Sequence, residues 1–167
     1  MDEGELEPGC EATAASGPEL VPPTGVLPTS VLPTSVLIVE DEFLIALQIE
    51  SILIERGYRV VGIVSDLAGL AAMSEPPDVA LVDLNLRDGP TGCAIAAQLA
   101  RDHGTRIVYV TANPAQIAEP APTAIGIVHK PFSHGAIDAA VWQAMAARQG
   151  ACASAMALPV FDGTITP

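Results

Sequence analysis

Asp83 directly follows Val79-Ala80-Leu81-Val82, a run apolar enough to form a strand buried on both faces. An ionised carboxylate in that position needs a partner. Other reactive groups follow apolar runs in the same way. Glu40 and Asp41, with Glu42 behind them, come after Val36–Val39, and Thr111 comes after Ile107–Val110. Lys130, the only lysine in the chain, comes just after Ala124–Val128 and is followed by Pro131. Three carboxylates (Glu40, Asp41, Asp83) in one cleft cannot all stay ionised unless a cation joins them. Hard oxygen donors with room left for water suit Mg2+. A lysine ammonium and a threonine hydroxyl suit the remaining oxygens of a phosphoryl group, with Asp83 as the in-line nucleophile that becomes an acyl phosphate. Each residue alone has a plainer reading: a loop cap, helix-dipole compensation, a Lys-Pro turn or a solvated hydroxyl. Only their joint order points to chemistry.

That order matters only if one scaffold edge gathers all of them. From Val36 onward, the short apolar runs Val36–Val39, Val60–Val64, Val79–Val82, Ile107–Val110 and Ala124–Val128 alternate with helical stretches. The helices are expected over Glu42–Arg56, Asp66–Met73, Gly92–Asp102 and Ser133–Arg148, and three of them are closed by Gly57, Gly104 and Gly150. Ser133 is placed to cap the last helix, and Phe132 to staple onto Ile137. The connection Asn113–Pro122 has room for about one helical turn before Pro120 and Pro122. Strand–helix alternation without a hairpin signal argues for an α/β fold, a parallel sheet with helices on both faces. Such a sheet puts every strand's carboxyl end on one edge, where ligands bind.

Half of the residues are hydrophobic but only 4% are aromatic, so the core must come from Val, Ile, Leu and Ala. The net charge of −13 is concentrated early, with six acids (Asp2, Glu3, Glu5, Glu7, Glu11, Glu19) and no base in residues 1–20. Such a charge repels nucleic acid and anionic membrane surfaces, and neither is an expected partner. No apolar run is long enough to span a bilayer and the N-terminus lacks the basic start of a secretory signal, so a cytoplasmic protein is expected. Cys10, Cys93 and Cys152 are scattered and read as unpaired thiols. Residues 1–35, acidic and Pro-rich, read as a disordered leader. It holds a five-residue repeat, VPPTG-VLPTS-VLPTS, whose proline disappears where Val36-Leu37-Ile38-Val39 begins. Residues 36–149 form the folded domain and 150–167 a tail. The alanines at the tail's start are able to extend the last helix, whereas LPVFDGTITP reads as a loose end, with docking of Val160 and Phe161 on a neighbour as the alternative.

"VLIVEDE", "DVALVDLNLRDG", "IVYVTA" and "GIVHKPF" together resemble the receiver domain of bacterial response regulators over about Val36 to Arg148. The resemblance implies a flavodoxin-like, doubly wound sheet of five parallel strands in the order 2-1-3-4-5, here with a shortened fourth helix. It implies a phosphoacceptor of a two-component phosphorelay, and the short stretch after Arg148, too small for an output domain, makes a stand-alone one the expectation. A sensor histidine kinase or histidine phosphotransfer protein would charge Asp83 with Mg2+ as cofactor, and the output would be binding to an unknown downstream protein or service as a phosphate sink. By position, Asp41 is implied as the direct metal ligand, Glu40 as a ligand through water, and the backbone carbonyl of Asn85 as a third. Thr111 is implied as the switch hydroxyl and Lys130 as the phosphate-pairing lysine, with Pro131 following through a cis bond. His129 and His134, which flank that lysine, read as structural.

Three positions depart from the family pattern. Arg87 stands where many members have proline, Ile127 where many have the Tyr or Phe that moves on activation, and prolines squeeze the fourth helix. Without that ring, Asn113–Pro122 is expected to be the element that shifts as Thr111 is drawn toward the phosphoryl group. Two rivals remain: a receiver-like binding module that is never phosphorylated, and an Asp-nucleophile phosphatase. The phosphatase needs an acid two residues after the nucleophile, where this chain has Asn85, which cannot shuttle a proton. An enzyme acting on anything but its own phosphoryl group is therefore not expected.

Overall fold

The parallel strands draw their hydrophobicity from Val and Ile, whose branched side chains suit a pleated surface covered on both sides. A computed structural model describes residues 33–147 and 158–161. Along the chain it places β1 (Ser35–Val39), α1 (Phe43–Glu55), β2 (Arg59–Val64), α2 (Leu67–Ala71), β3 (Val79–Val82) and α3 (Gly92–His103). There follow β4 (Arg106–Thr111), a 3-10 turn (Pro114–Gln116), β5 (Ala124–His129), α4 (His134–Ala147) and β6 (Val160–Phe161). The described strands pair in parallel throughout, in the order β2-β1-β3-β4-β5-β6. The expected leader and its repeat lie outside the described residues, as does the proposed extension of the last helix.

Side chains alternate between two cores on opposite faces of the sheet. Val36 and Ile38 of β1, Val79 and Leu81 of β3, and Val108 and Val110 of β4 pack with Ile49 and Leu53 of α1 and Ile137 and Val141 of α4. Leu37, Val39, Ala80, Val82, Ile107 and Tyr109 face the other way, toward Ile95 and Leu99 of α3. Phe132 packs against the first core, to which Ile137 belongs, and Ser133 Oγ accepts from the Ala136 N–H at 3.2 Å. Asp66 caps α2 by accepting from the Gly69 N–H at 2.8 Å. Among the described residues, no helix is long and apolar enough to cross a membrane.

One expectation is corrected. Residues 158–161 are not a loose end, because Val160 and Phe161 extend the chain's own sheet beyond the five expected strands. The physical reason is the edge of β5. Its Ile127 N–H donates to the Pro159 carbonyl at 2.8 Å, and the bare Gly126 leaves space for the Phe161 ring. Two apolar residues after a proline are too short a pattern to mark a strand on their own. Its partner edge makes it one.

Candidate functional site

The site is assembled by backbone pairing at the carboxyl ends of the central strands. The Asp83 N–H donates to the Val39 carbonyl at 2.9 Å, which fixes the end of β3 beside the end of β1. The Glu40 N–H donates to Val64 O at 2.9 Å, and the Lys130 N–H to Thr111 O at 3.0 Å. Glu40, Asp83, Thr111 and Lys130 therefore leave a single edge of the sheet.

Lys130 Nζ lies 2.7 Å from Asp83 Oδ2 and 2.6 Å from Glu40 Oε2, bridging groups that are 47 and 90 residues away in sequence. Glu40 is 2% exposed and Asp83 7% exposed. Burial pushes the Glu40 carboxyl above its ordinary pKa, with Lys130 pulling the other way. Burial alone would lower the Lys130 ammonium, but its hydrogen bonds to Asp83 and Glu40 outweigh that and hold it above its usual value. The other Asp83 oxygen, Oδ1, accepts from the Leu84 N–H at 2.6 Å and the Asn85 N–H at 3.4 Å. The carboxylate is aimed from both sides.

Carboxylate oxygens of Glu40, Glu42 and Asp83 lie within 4.8 Å of one another. This donor set is all hard oxygen, and two of its members are buried and share one ammonium, so it fits a hard divalent cation such as Mg2+. Asp41, the direct ligand by resemblance, is exposed and is not part of that group, whereas Glu42 is. The Glu42 N–H donates to Glu40 Oε1 at 3.2 Å, which brings the start of α1 up to the site. The sequence places Glu42 in the same acidic run after β1, but the resemblance gives it no role, because it is one residue past the matched acidic pair.

Thr111 is buried, and its Oγ1 accepts from the Asn113 N–H at 3.1 Å. The hydroxyl thus holds the first residue of the short connection. The Asn85 side chain donates from Nδ2 to Gln116 Oε1 at 3.1 Å, linking the loop after Asp83 to the 3-10 turn. The Lys130–Pro131 bond is cis. Ile127 lies on the β5 edge, nearly buried, with Tyr109 opposite it in β4. Gly92, which opens α3, is a site residue that motif reading missed. A Cβ there would land on the Asp83 carbonyl and come within 2.7 Å of Leu84 Cα, so only glycine lets α3 start this close to the Asp83 backbone.

Comparison with known proteins agrees with this geometry. The family model described as "Response regulator receiver domain" matches residues 36–142. The phyllosphere-induced regulator PhyR of Methylorubrum extorquens is 29% identical over 119 residues, which cover 69% of this chain and 45% of that protein. The crystal structure of the response regulator PhyR from Brucella abortus aligns with a TM-score of 0.64 at 31% identity, covering 71% of this chain and 50% of that one. A structure titled anti-anti-sigma factor PhyR from Bartonella quintana aligns with a TM-score of 0.63 at 30% identity, covering 72% and 50%. The chain therefore spans about half the length of these relatives. With the sheet order, the buried Asp83–Lys130–Glu40 contact and a family match over most of the folded region in agreement, this chain belongs to the response regulator receiver domain family.

Proposed function

We propose that the chain is a phosphoacceptor: Asp83 takes a phosphoryl group from a phosphohistidine on a sensor histidine kinase or phosphotransfer protein. The observation that carries this reading is Lys130 Nζ at 2.7 Å from Asp83, on an edge where Glu40 and Glu42 complete a hard-oxygen donor set. A carboxylate oxygen of Asp83 forms an O–P bond as the donor's N–P bond breaks, and the leaving imidazole takes its proton from water. The Leu84 and Asn85 N–H groups hold the carboxylate during attack, and Lys130 meets the charge that develops on the phosphoryl oxygens. Glu40, Asp83 and the Asn85 carbonyl, with Glu42 or Asp41, would hold Mg2+, which supplies further charge neutralisation at those oxygens.

The donor must approach Asp83 in line, so its carrier rests on the rim of the site. The first turn of α1 forms part of that rim and exposes Phe43 (71%) and Leu44 (78%), an apolar surface suited to a helical phosphotransfer partner. Downstream, the Bartonella relative's name, anti-anti-sigma factor, describes an activity directed at another protein, and protein binding is the output proposed here. A shift from 1:99 to 99:1 between two states needs about 5.5 kcal/mol of differential binding. One lysine contact, one threonine hydrogen bond and metal coordination, at about 1.5–3 kcal/mol each, reach that range.

The test is intact mass after incubation with acetyl phosphate and Mg2+. Wild type is expected to gain one phosphoryl group, and Asp83→Asn, or wild type with the metal chelated, to gain none. Equal uptake in wild type and Asp83→Asn would remove Asp83 from the mechanism. No uptake in wild type would favour the unphosphorylated binding module.

A further inference from the structure

The β5 edge is closed by the chain itself, at a place made for that contact. Val160 and Phe161 pair in parallel with Ile127 and Val128, and the Ile127 N–H donates to Pro159 O at 2.8 Å. Gly126 supplies a second, independent sign. The three atoms nearest to a Cβ built there all belong to the tail: two in the Phe161 ring and the Pro159 carbonyl, the last at 2.6 Å. Phe161 packs against the core under α1 and α4, and Leu158 against the opposite core, so the segment straddles both faces of the sheet. Yet its ladder spans two residues, Pro159 has no N–H to add, and Val160 stays 59% exposed. This is the least secured strand of the sheet, in a position where an open edge would offer unpaired backbone groups to another chain.

We infer that residues 158–161 act as a releasable latch, an intramolecular strand that covers the Gly126 notch on β5 and frees that edge when Asp83 is phosphorylated. The release step rests on the phosphoacceptor reading above. β5 carries both contacts: Ile127 holds the tail, and three residues on, Lys130 holds Asp83, with its N–H bonded to Thr111 O. β5 lies between β4 and β6, so drawing Thr111 and Lys130 toward a phosphoryl group pulls the end of β5 away from the latch. The coupling is reciprocal in binding free energy: a variant that cannot seat the tail is expected to bind beryllofluoride and Mg2+ with a different affinity from wild type. The freed surface is a strand edge with a glycine notch sized for one aromatic ring, which suits an extended segment of a partner protein.

The test follows amide exchange at Ile127 in the full chain by NMR. In Phe161→Ala, the Ile127 N–H is expected to exchange about tenfold faster than in wild type, while the Val108 and Tyr109 amides keep their rates. Unchanged Ile127 exchange would overturn the latch. A second measurement needs no exchange data. Gly126→Ala is expected to destabilise the wild-type chain much more than the Phe161→Ala chain, and equal costs in both backgrounds would overturn the seating at Gly126. Protection that disappears on dilution would assign the contact to a second copy's tail and so overturn its intramolecular character. With phosphoryl occupancy confirmed by intact mass, Ile127 exchange is expected to rise on phosphorylation, and no change at full occupancy would overturn the release. Absence of phosphoryl uptake would instead sink the phosphoacceptor reading and leave the latch standing.

Discussion

Lys130 binds the site together because it is shared: one ammonium faces two buried carboxylates, and among the described residues neither has another cation in contact. Replacing it with methionine leaves both carboxylates without their charge partner, a change that costs about 3 kcal/mol for a buried pair. Lys130→Met is therefore expected to lower unfolding stability by about that much in metal-free buffer, as read by urea titration, with Mg2+ restoring part of the loss. A loss untouched by Mg2+ would mean that the three acids do not converge on a cation. That Glu40, Asp83, Thr111 and Lys130 share one edge was legible from their types and their places after apolar runs, whereas Asp41, read as the direct ligand, is exposed and outside the acidic group. Glu42 stood in the same acidic run but had no assigned role, since only the turn into α1 brings its carboxylate back over Glu40. Gly92 was hidden for a different reason: closeness to a backbone 9 residues earlier leaves no trace in composition.

At the level of elements, the connection between β4 and β5 is tied at both ends to β4. Thr111 Oγ1 holds Asn113, and the hydroxyl of the fully buried Tyr109 accepts from the Ala121 N–H at 3.0 Å. The proline spacing announced a connection with room for one turn, and a single 3-10 turn is what forms. Its anchoring by a tyrosine within a strand had no sequence signal, because a buried Tyr reads simply as core. Tyr109→Phe leaves the Ala121 N–H without its acceptor and is expected to cost about 1–3 kcal/mol, with faster amide exchange across 113–122. On adding beryllofluoride and Mg2+, amide shifts in 113–122 are expected to move, and static shifts would exclude this segment as the switch. Gly92→Ala, which drives a methyl into the Asp83 carbonyl, is expected to slow phosphoryl uptake even where the fold survives. Equal uptake rates in Gly92→Ala and wild type would show that the start of α3 does not fix the acceptor loop.

Across the whole described domain, the two helices on the α1 face are also joined electrostatically. Tyr58, just after α1, donates to Asp138 Oδ1 of α4 at 3.2 Å, and Arg56 lies 3.1 Å from the same carboxylate. Burial, reinforced by the Asp138 charge, pushes the Tyr58 phenol from 10.0 up to about 12. A folded value above the unfolded one means that this contact contributes fully below pH 10 and is lost as pH rises through about 12. An ultraviolet titration is expected to show one tyrosine ionising near pH 12, and Tyr58→Phe to remove that step. Alternating apolar runs were enough to indicate the parallel sheet and its reactive edge. The sixth strand was not legible, because its stability resides in the Gly126 notch rather than in Val160 and Phe161 themselves. On the proposed function, Asp83 is the group that becomes an acyl phosphate. Its most direct test is to treat the phosphorylated protein with borohydride, which reduces an acyl phosphate to an alcohol with loss of phosphate, and to map the peptides by mass. Homoserine is expected at position 83 and nowhere else. An intact aspartate at 83 beside a reduced residue elsewhere would contradict it.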